Sequence, residues 1–191
     1  MLNAKQELRT QAHKRRAQAK EIQSPHDQKK LIKTFFQAIA PAQDQKIALY
    51  YPVGTEWDIW PLALALWDKH YQVALPKVTS KNQPLSFYPW SKDTQLMLNT
   101  SIPGLKEPDG IKSPVIPDVV CVPLLAIDVH GTRLGYGGGY YDRTLAHLRT
   151  IHTTCKAIGI GFSVQYRTYV PKEAHDQLLD GWLSEKGYHV F

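Results

Sequence analysis

Apolar residues follow two patterns along the chain: a spacing of three and four residues in some segments, and short continuous runs in others. The alternation between the two patterns predicts the secondary structure. Residues 4–20 consist of good helix formers without Gly or Pro, and Ser24 followed by Pro25 is typical of the start of a second helix that reaches about Ala40. Short apolar runs between the helical segments are typical of buried strands. The further predicted helices are 59–70, 140–149 and 173–179, and the predicted strands are 46–51, 72–75, 85–90, 118–122, 124–127, 157–162 and 188–191.

Strands that alternate with helices predict an α/β fold. We expect a single domain over residues 1–191, with a mostly parallel, Rossmann-like sheet and helices on both of its faces. Residues 99–118 are rich in Pro and Gly and are predicted to be a loop. Because ligands bind at the carboxyl ends of strands in such sheets, the loops after Tyr51 and Ile127 are the candidate places for a site.

Composition narrows the class of protein. With 43% hydrophobic and 21% charged residues, the 191-residue chain has the make-up of a globular protein, which excludes collagen, coiled-coil rods and wholly disordered chains. It contains no run of about 18 apolar residues, and residues 1–20 are too polar for a signal peptide. Cys121 and Cys155 are interpreted as small core residues. We therefore expect a cytoplasmic protein with no membrane partner. A monomer is also expected, although nothing in the composition determines the oligomeric state.

The positive charge is concentrated at the N-terminus, where residues 1–20 carry +5 of the formal net charge of +6. A solvated basic helix face is one interpretation. Nucleic-acid binding and an organelle transit peptide are two others, but the segment has neither an aromatic residue for stacking on bases nor a Ser. In a fourth interpretation Lys5 and Arg9, one helical turn apart, close over a polyphosphate that is bound by the rest of the domain.

A glycine-rich loop supplies the anion site that the fourth interpretation needs. Five of the 12 glycines lie within 131–139, directly before a predicted helix whose free amides would point into the loop. Arg133 adds a cation that suits phosphate oxygens, and Asp142 can hold magnesium beside them. The loop matches neither the Walker A pattern nor GxGxxG. It therefore predicts a nucleoside triphosphate site, with a purely structural glycine loop as the alternative.

Several segments together resemble a known enzyme family. The string Arg133-Leu-Gly-Tyr-Gly-Gly-Gly-Tyr-Tyr-Asp-Arg143 is similar to the signature of the 5-formyltetrahydrofolate cyclo-ligases, also called methenyltetrahydrofolate synthetases. Lys5-Gln-Glu-Leu-Arg9 resembles the family's Lys-x-x-Leu-Arg, residues 51–56 resemble its substrate loop, and 104–108 resemble its Gly-Ile-x-Glu-Pro. Near the C-terminus, 175–176 and 179–180 fall where the family has comparable pairs, although Ser184 stands in place of the usual Thr.

This resemblance implies a reaction and a set of site residues. The reaction is the closure of 5-formyltetrahydrofolate to 5,10-methenyltetrahydrofolate, in which ATP with Mg²⁺ phosphorylates the formyl oxygen and ADP and phosphate are released. The implied partners are ATP and the folate, without nucleic acid. The implied residues are Arg133 and Tyr140 for catalysis; Lys5, Arg9, Arg133, Leu134, Gly135, Tyr136, Gly137, Gly138, Gly139, Tyr140 and Tyr141 for ATP; Tyr51, Glu56 and 136–140 for the folate; and Asp142 and Asp180 for the metal.

Plainer interpretations compete with several of these roles. Glu56 could be a solvated loop acid, the tyrosines could be packing residues, and His175 with Asp176 could cap a surface helix. Two other functions also compete. A sugar-phosphate isomerase or acyl-transferring enzyme on a related sheet would bind a monophosphate in the loop without Mg²⁺, and a nucleic-acid-binding module would act through the basic N-terminus. Dependence on ATP and magnesium separates these possibilities.

Overall fold

The computed structural model describes residues 2–191, with side chains from residue 4 onward. Its helices are α1 (Leu2–Ile22), α2 (Pro25–Thr34), α3 (Trp60–Asp68) and α4 (Tyr140–Ile151), with a π-helical turn at Phe35–Ile39 and a 3-10 turn at Ser163–Gln165. Its strands are β1 (Lys46–Ala48), β2 (Gln72–Lys77), β3 (Ser86–Pro89), β4 (Leu96–Leu98), β5 (Lys106–Pro108), β6 (Val119–Pro123), β7 (Ala126–Ile127), β8 (Arg133–Leu134), β9 (Lys156–Ile160), β10 (Gly181–Ser184) and β11 (Gly187–Val190).

Seven strands form one sheet in the order β11-β10-β9-β6-β1-β2-β3. The five inner strands are parallel, with Ile47 of β1 in register with Val73 of β2 and Val119 of β6. The two edge strands, β3 and β11, run antiparallel to their neighbours. The predicted mostly parallel α/β sheet is therefore confirmed.

The strand side chains alternate between two cores, one on each face of the sheet. Ile47 packs on one face with Leu31 of α2 and Leu62 of α3. The next residue, Ala48, belongs to the opposite core, together with Leu145 of α4. This alternation is the period of two that a pleated strand imposes. Helices on both faces, as expected, leave the carboxyl ends of the strands open for a site.

The start of α2 is determined by local chemistry. The Ser24 hydroxyl accepts a hydrogen bond from the Asp27 amide, and the Asp27 carboxylate accepts one from the Ser24 amide in return. This capping box pairs two donors that a helix start otherwise leaves free, a contribution of about 1 kcal/mol. The helical segment ends at Ala40, whose φ of 43° precedes Pro41. The predicted helix from Pro25 to about Ala40 is thus confirmed, with a π-helical last turn.

Two sequence predictions are wrong: the first segment takes part in a short hairpin, and the second is bonded to a distant loop. Residues 99–118 are not all loop, because β5 pairs antiparallel with β4. Residues 173–179 are not a helix: the Asp176 carboxylate accepts from the Glu173 amide, and the Leu179 amide bonds to Gly131 in a distant loop. The chain then enters β10, which the sequence did not predict and which pairs with β9. Among residues 2–191, no helix is long and apolar enough to cross a membrane.

Candidate active site

A cleft of about 430 Å³ opens at the carboxyl ends of the parallel strands. Its walls are α1, the segment 50–56 that follows β1, the end of β2, and the loop 133–142 that leads into α4. The sequence predicts a ligand site at these strand ends, as is usual for parallel α/β sheets. All the residues that the sequence assigns to ATP or the folate, from Lys5 to Tyr141, line this one cleft.

The glycine-rich loop is held in place by a buried acid behind it. β7 and β8 form a short antiparallel pair, and between them the Asp128 carboxylate accepts hydrogen bonds from the backbone amides of His130, Thr132 and Val170. Asp128 is only 1% exposed. These bonds join the turn between β7 and β8 to the segment around Val170. They therefore fix the position of β8, after which the glycine-rich loop begins.

The loop itself adopts backbone angles that side chains disfavour. Gly137 has φ of 95° and Gly139 has φ of 65°, and Gly139 is the N-cap of α4. A Cβ atom at Gly137 would lie 3.4 Å from the Arg9 guanidinium. Glycine is therefore needed for the conformation, whereas the contact with Arg9 would be an ordinary one. The result is an exposed backbone segment that runs into the amide end of a 12-residue helix.

Arg133 stands at the base of the loop. One of its guanidinium Nη atoms donates to the Asp142 carboxylate at 3.0 Å, and the guanidinium lies 5.7 Å from the centre of the Tyr141 ring. Its Nε is buried and has no hydrogen-bond partner among the described residues. A buried cationic donor without a hydrogen-bond partner lowers the stability of the fold, unless a bound ligand accepts its hydrogen bond. The arrangement therefore suits an anion between Arg133 and the loop amides.

Helix α1 brings two more cations to the loop. Lys5 Nζ pairs with Asp176 at 2.7 Å and with Glu173 at 3.4 Å, and Arg9 Nε donates to the Gly135 carbonyl at 3.1 Å. Burial alone would raise the pKa of Asp176, but the hydrogen bond from Lys5 and that from the Glu173 amide outweigh it and lower the pKa. The basic face of α1 is thus turned toward the protein, and the interpretation as a solvated face fails for these residues.

Glu56 lies on the opposite wall and is 5% exposed, so it is not a solvated loop acid. The Tyr136 hydroxyl donates to one carboxylate oxygen at 2.6 Å, and the Val53 amide donates to the other at 2.8 Å. Burial raises the pKa of Glu56, while these two hydrogen bonds and the charge of Arg16 lower it in part. Burial in turn raises the pKa of the Tyr136 hydroxyl, which therefore remains a donor.

Arg16 is a site residue that the sequence analysis did not assign. It is 2% exposed, and its guanidinium donates to the Thr55 hydroxyl at 3.0 Å and to the Leu124 carbonyl at 3.3 Å. It also lies 4.0 Å from Glu56 and 5.3 Å from the centre of the Tyr136 ring. Its spacing could have revealed it: positions 5, 9 and 16 fall on one face of a helix.

The other tyrosines fit both interpretations made from the sequence, packing and cleft lining. Tyr141 packs against the core on the α4 face while lining the cleft, and burial raises the pKa of its hydroxyl. Tyr51 lies edge-on to Trp60, with ring centres 6.4 Å apart. The Tyr140 ring is covered by the Arg143 guanidinium at 5.2 Å. All three contribute to the cleft wall, and each is held by a packing partner.

Comparison with known proteins decides the family. The model of the 5-formyltetrahydrofolate cyclo-ligase family matches residues 1–185, nearly the whole chain. The chain belongs to this family.

Individual cyclo-ligases are similar to the chain over most of their length. The chain is 29% identical over 177 residues to the 5-formyltetrahydrofolate cyclo-ligase of Haemophilus influenzae, with 90% of this chain and 92% of the relative covered. It is 32% identical over 149 residues to that of Mycolicibacterium smegmatis, with 73% of each covered. The NMR structure of Aquifex aeolicus 5,10-methenyltetrahydrofolate synthetase superposes with a TM-score of 0.81 at 29% identity, covering 100% of this chain and 93% of that one.

One residue that resemblance to the cyclo-ligase family assigned to the metal lies elsewhere. Asp180 precedes β10, accepts a hydrogen bond from the Ala157 amide and pairs with Arg149 at 3.2 Å, near the end of α4. Asp142 lies in the first turn of α4, so about 10 Å of helix separates it from Arg149. Asp180 therefore does not join Asp142 at the cleft.

Asp176 is the carboxylate that the structure brings near Asp142 instead. Both residues line the cleft, and the amide of Gln177, which follows Asp176, donates to the Asp142 carboxylate at 3.2 Å. His175 and Asp176 are not the surface helix cap that the sequence suggests, because there is no helix at these positions. Because the contact joins residues 35 positions apart, only the tertiary structure reveals it.

Proposed function

We propose that this chain converts 5-formyltetrahydrofolate to 5,10-methenyltetrahydrofolate, with consumption of ATP in the presence of Mg²⁺ and release of ADP and phosphate. Membership of the cyclo-ligase family supports the class of reaction, a ligation that closes a ring. The single observation that carries the ATP requirement is the glycine-rich loop, with the unpartnered Nε of Arg133 at its base.

Ring closure needs ATP because the formyl oxygen is a poor leaving group. Transfer of the γ-phosphoryl group of ATP to that oxygen produces ADP and an iminium carbon that carries the phosphorylated oxygen. The second folate nitrogen then attacks this carbon and loses its proton, and the C–O bond breaks to release phosphate. Such transfers depend mainly on positioning and on stabilising charge rather than on a protein nucleophile.

The residues around the loop supply that positioning and charge. The amides of residues 135–139 and the start of α4 face the triphosphate, and the Arg133 guanidinium binds its oxygens in a fixed fork. Lys5 and Arg9 approach from α1. We assign Tyr140, which borders the loop, to the junction of nucleotide and folate.

The folate occupies the side of the cleft that is formed by Tyr51, Glu56 and Tyr136. The buried Glu56 carboxylate accepts hydrogen bonds from the folate near its formyl group, in competition with the Tyr136 hydroxyl. Because burial raises its pKa, Glu56 is also suited to accept the proton that the attacking nitrogen loses.

The carboxylates at the cleft fit a hard divalent cation. Asp142 and Asp176 offer oxygen ligands next to the phosphate position, and oxygen is the donor type that Mg²⁺ selects. A bound Mg²⁺ would neutralise part of the triphosphate charge. Arg133 and Lys5, which now pair with these two acids, would then be released toward the phosphate oxygens.

The decisive experiment measures methenyltetrahydrofolate by its absorbance after mixing the purified chain with 5-formyltetrahydrofolate. We expect product only when both ATP and Mg²⁺ are present. Arg133→Ala should lose turnover through a higher KM for ATP, whereas Lys92→Gln, an exposed residue that pairs with Asp68, should behave like the wild type. Product formation without ATP, or none under any condition, would overturn the proposal. The cytoplasmic location and the monomeric state stay predictions.

A further inference from the structure

A hydrogen bond crosses the cleft and joins its two walls. Tyr136 belongs to the glycine-rich loop on one wall, and its hydroxyl donates to the Glu56 carboxylate on the other wall at 2.6 Å. The second carboxylate oxygen accepts from the Val53 amide at 2.8 Å. The acid that the proposed function assigns to the folate therefore has a partner on each oxygen already. We call the contact between Tyr136 and Glu56 the bridge.

Two side chains of α1 hold Tyr136 in this position. The centre of the His13 ring lies 5.5 Å from that of the Tyr136 ring, and the Arg16 guanidinium lies 5.3 Å from the same centre. His13 and Arg16 are three residues apart, so they are neighbours on the helix surface. Burial and the charge of Arg16 lower the pKa of His13, and its imidazole is therefore neutral at neutral pH. Contacts to the ring thus direct the phenol at Glu56.

Tyr136 lies in the part of the loop that the proposed function assigns to the triphosphate. A glycine stands on each side of it, and Tyr136 itself is 48% exposed. The preceding Gly135 carbonyl accepts a hydrogen bond from Arg9 Nε at 3.1 Å. A triphosphate on the loop amides would compete for Arg9 and so free this carbonyl. Nucleotide binding would therefore act on the backbone that carries the phenol.

The bridged cleft is small for the ligands that must meet in it. Its volume is about 430 Å³. Pockets that hold a single drug-sized ligand have volumes of about 300–1,000 Å³. Because the nucleotide and the folate must come together here, the two walls have to separate, and the bridge is the hydrogen bond that joins them.

We propose that Tyr136 links the binding of the two substrates. In the free protein the bridge occupies Glu56 and holds the glycine-rich loop against the folate side of the cleft. A nucleotide on the loop breaks the bridge, and the released carboxylate oxygen then accepts a hydrogen bond from the folate. His13 is a positioning residue, since it acts through Tyr136. The proposal rests on the proposed function, which supplies the two ligands.

The strength of the bridge sets the size of this linkage. A hydrogen bond to a charged group favours the bridged form by about tenfold or more. The ligand that binds first loses this factor, because only the unbridged fraction of the protein is competent to bind it. The second ligand meets an open cleft. Each substrate should therefore tighten the binding of the other by the same factor.

Calorimetry with β,γ-imido-ATP and Mg²⁺ measures the linkage without turnover. For the wild type, saturating nucleotide analogue should lower the Kd for 5-formyltetrahydrofolate about tenfold. Tyr136→Phe removes the hydroxyl but keeps the ring, so it should bind the folate alone about tenfold more tightly than the wild type and show a coupling factor of about one. Tyr169→Phe is the matched control, because Tyr169 is 68% exposed and lies outside the cleft.

Substitution of His13 tests its positioning role. His13→Ala removes one contact to the Tyr136 ring and leaves both atoms of the bridge in place, so we expect the coupling factor to fall to about threefold. His13→Phe restores a ring at this position and should return the factor to the wild-type value. A general loss of stability in His13→Ala would leave the coupling factor unchanged, and that result would overturn the role of His13.

Separate outcomes decide the bridge and the proposed function. The nucleotide analogue alone should bind more tightly to Tyr136→Phe than to the wild type, and this comparison needs no folate. Equal or weaker binding, or the same coupling factor in both proteins, would overturn the bridge and leave the cyclisation reaction standing. Coupled binding without any product would support the bridge and overturn the proposed reaction.

Discussion

Single residues in the cleft carry charge into places where water has little access. Arg16 and Glu56 are both almost fully buried, and neither has an ideal ion-pair partner, since their nearest atoms are 4.0 Å apart. Neutral groups supply the hydrogen-bond partners of both side chains. Arg16 donates to a hydroxyl and a carbonyl, and Glu56 accepts from a phenol and an amide. Because removing one member of such a pair leaves a buried charge, these residues are sensitive positions.

Arg16→Met should weaken folate use more than nucleotide use. Loss of the guanidinium frees Thr55 and Tyr136 and leaves Glu56 without its nearby cation, which we expect to raise KM for the folate at least about tenfold and to cost about 3 kcal/mol of stability. Since Arg16 lowers the pKa of Glu56, the acid limb of the pH–rate profile should move to higher pH. Arg15→Met, at the exposed neighbouring position, is the control, and an unmoved acid limb would argue against the role.

Glu56→Gln should reveal how the buried carboxyl is linked to folding. Its pKa is raised in the folded protein, so Glu56 favours the folded state below its ordinary pKa, and this contribution is lost as the pH rises through the raised value. Glutamine does not titrate. The stability of the wild type minus that of Glu56→Gln should therefore fall as the pH rises above the ordinary range of a glutamate, as measured by denaturant unfolding. A difference that rises with pH would contradict the sign of the shift.

At the scale of elements, α4 determines which acids can act together. Its first turn holds Asp142 at the cleft, while its last turn holds Arg149, which pairs with Asp180 at the other end of the helix. Asp176 reaches the cleft because residues 173–179 form a turn and an extended segment where the sequence predicted a helix. Asp176 and Asp180 are only four residues apart in the sequence, but they lie near opposite ends of α4.

Substitution of the three acids should distinguish them by their response to nucleotide. ATP with Mg²⁺ at about one hundred times its Kd should stabilise the wild type by about 2.7 kcal/mol. We expect Asp142→Asn and Asp176→Asn to require more Mg²⁺ for the same rise in Tm. Asp180→Asn should keep the wild-type Mg²⁺ titration, even though loss of its bond to Arg149 lowers the starting Tm. A shifted titration for Asp180→Asn would return that residue to the metal site.

At the scale of the whole molecule, the sequence predicts what depends on local pattern. The sheet core, the start of α2 and the glycine-rich loop were predictable because periodicity, a capping residue and a cluster of glycines are local signals. β10 and the position of Asp176 were not, since both depend on pairing with distant residues such as Ala157 or Gly131. The β4–β5 hairpin was missed because its strands have only three residues each, too few for a periodic pattern. The buried Arg16 lies between these cases, because its helical spacing was visible but its partners were not.

The position of α1 along one rim of the cleft has a consequence for encounter rates. Residues 1–20 hold most of the net charge, so we expect a positive electric field beside the entrance that two polyanionic substrates must find. Such a field speeds diffusional capture and is screened over about 8 Å at physiological ionic strength. Association of ATP, followed by stopped flow, should therefore slow as salt is added, and Lys14→Gln, on the outer surface of the helix, should flatten that dependence without altering a single contact in the cleft.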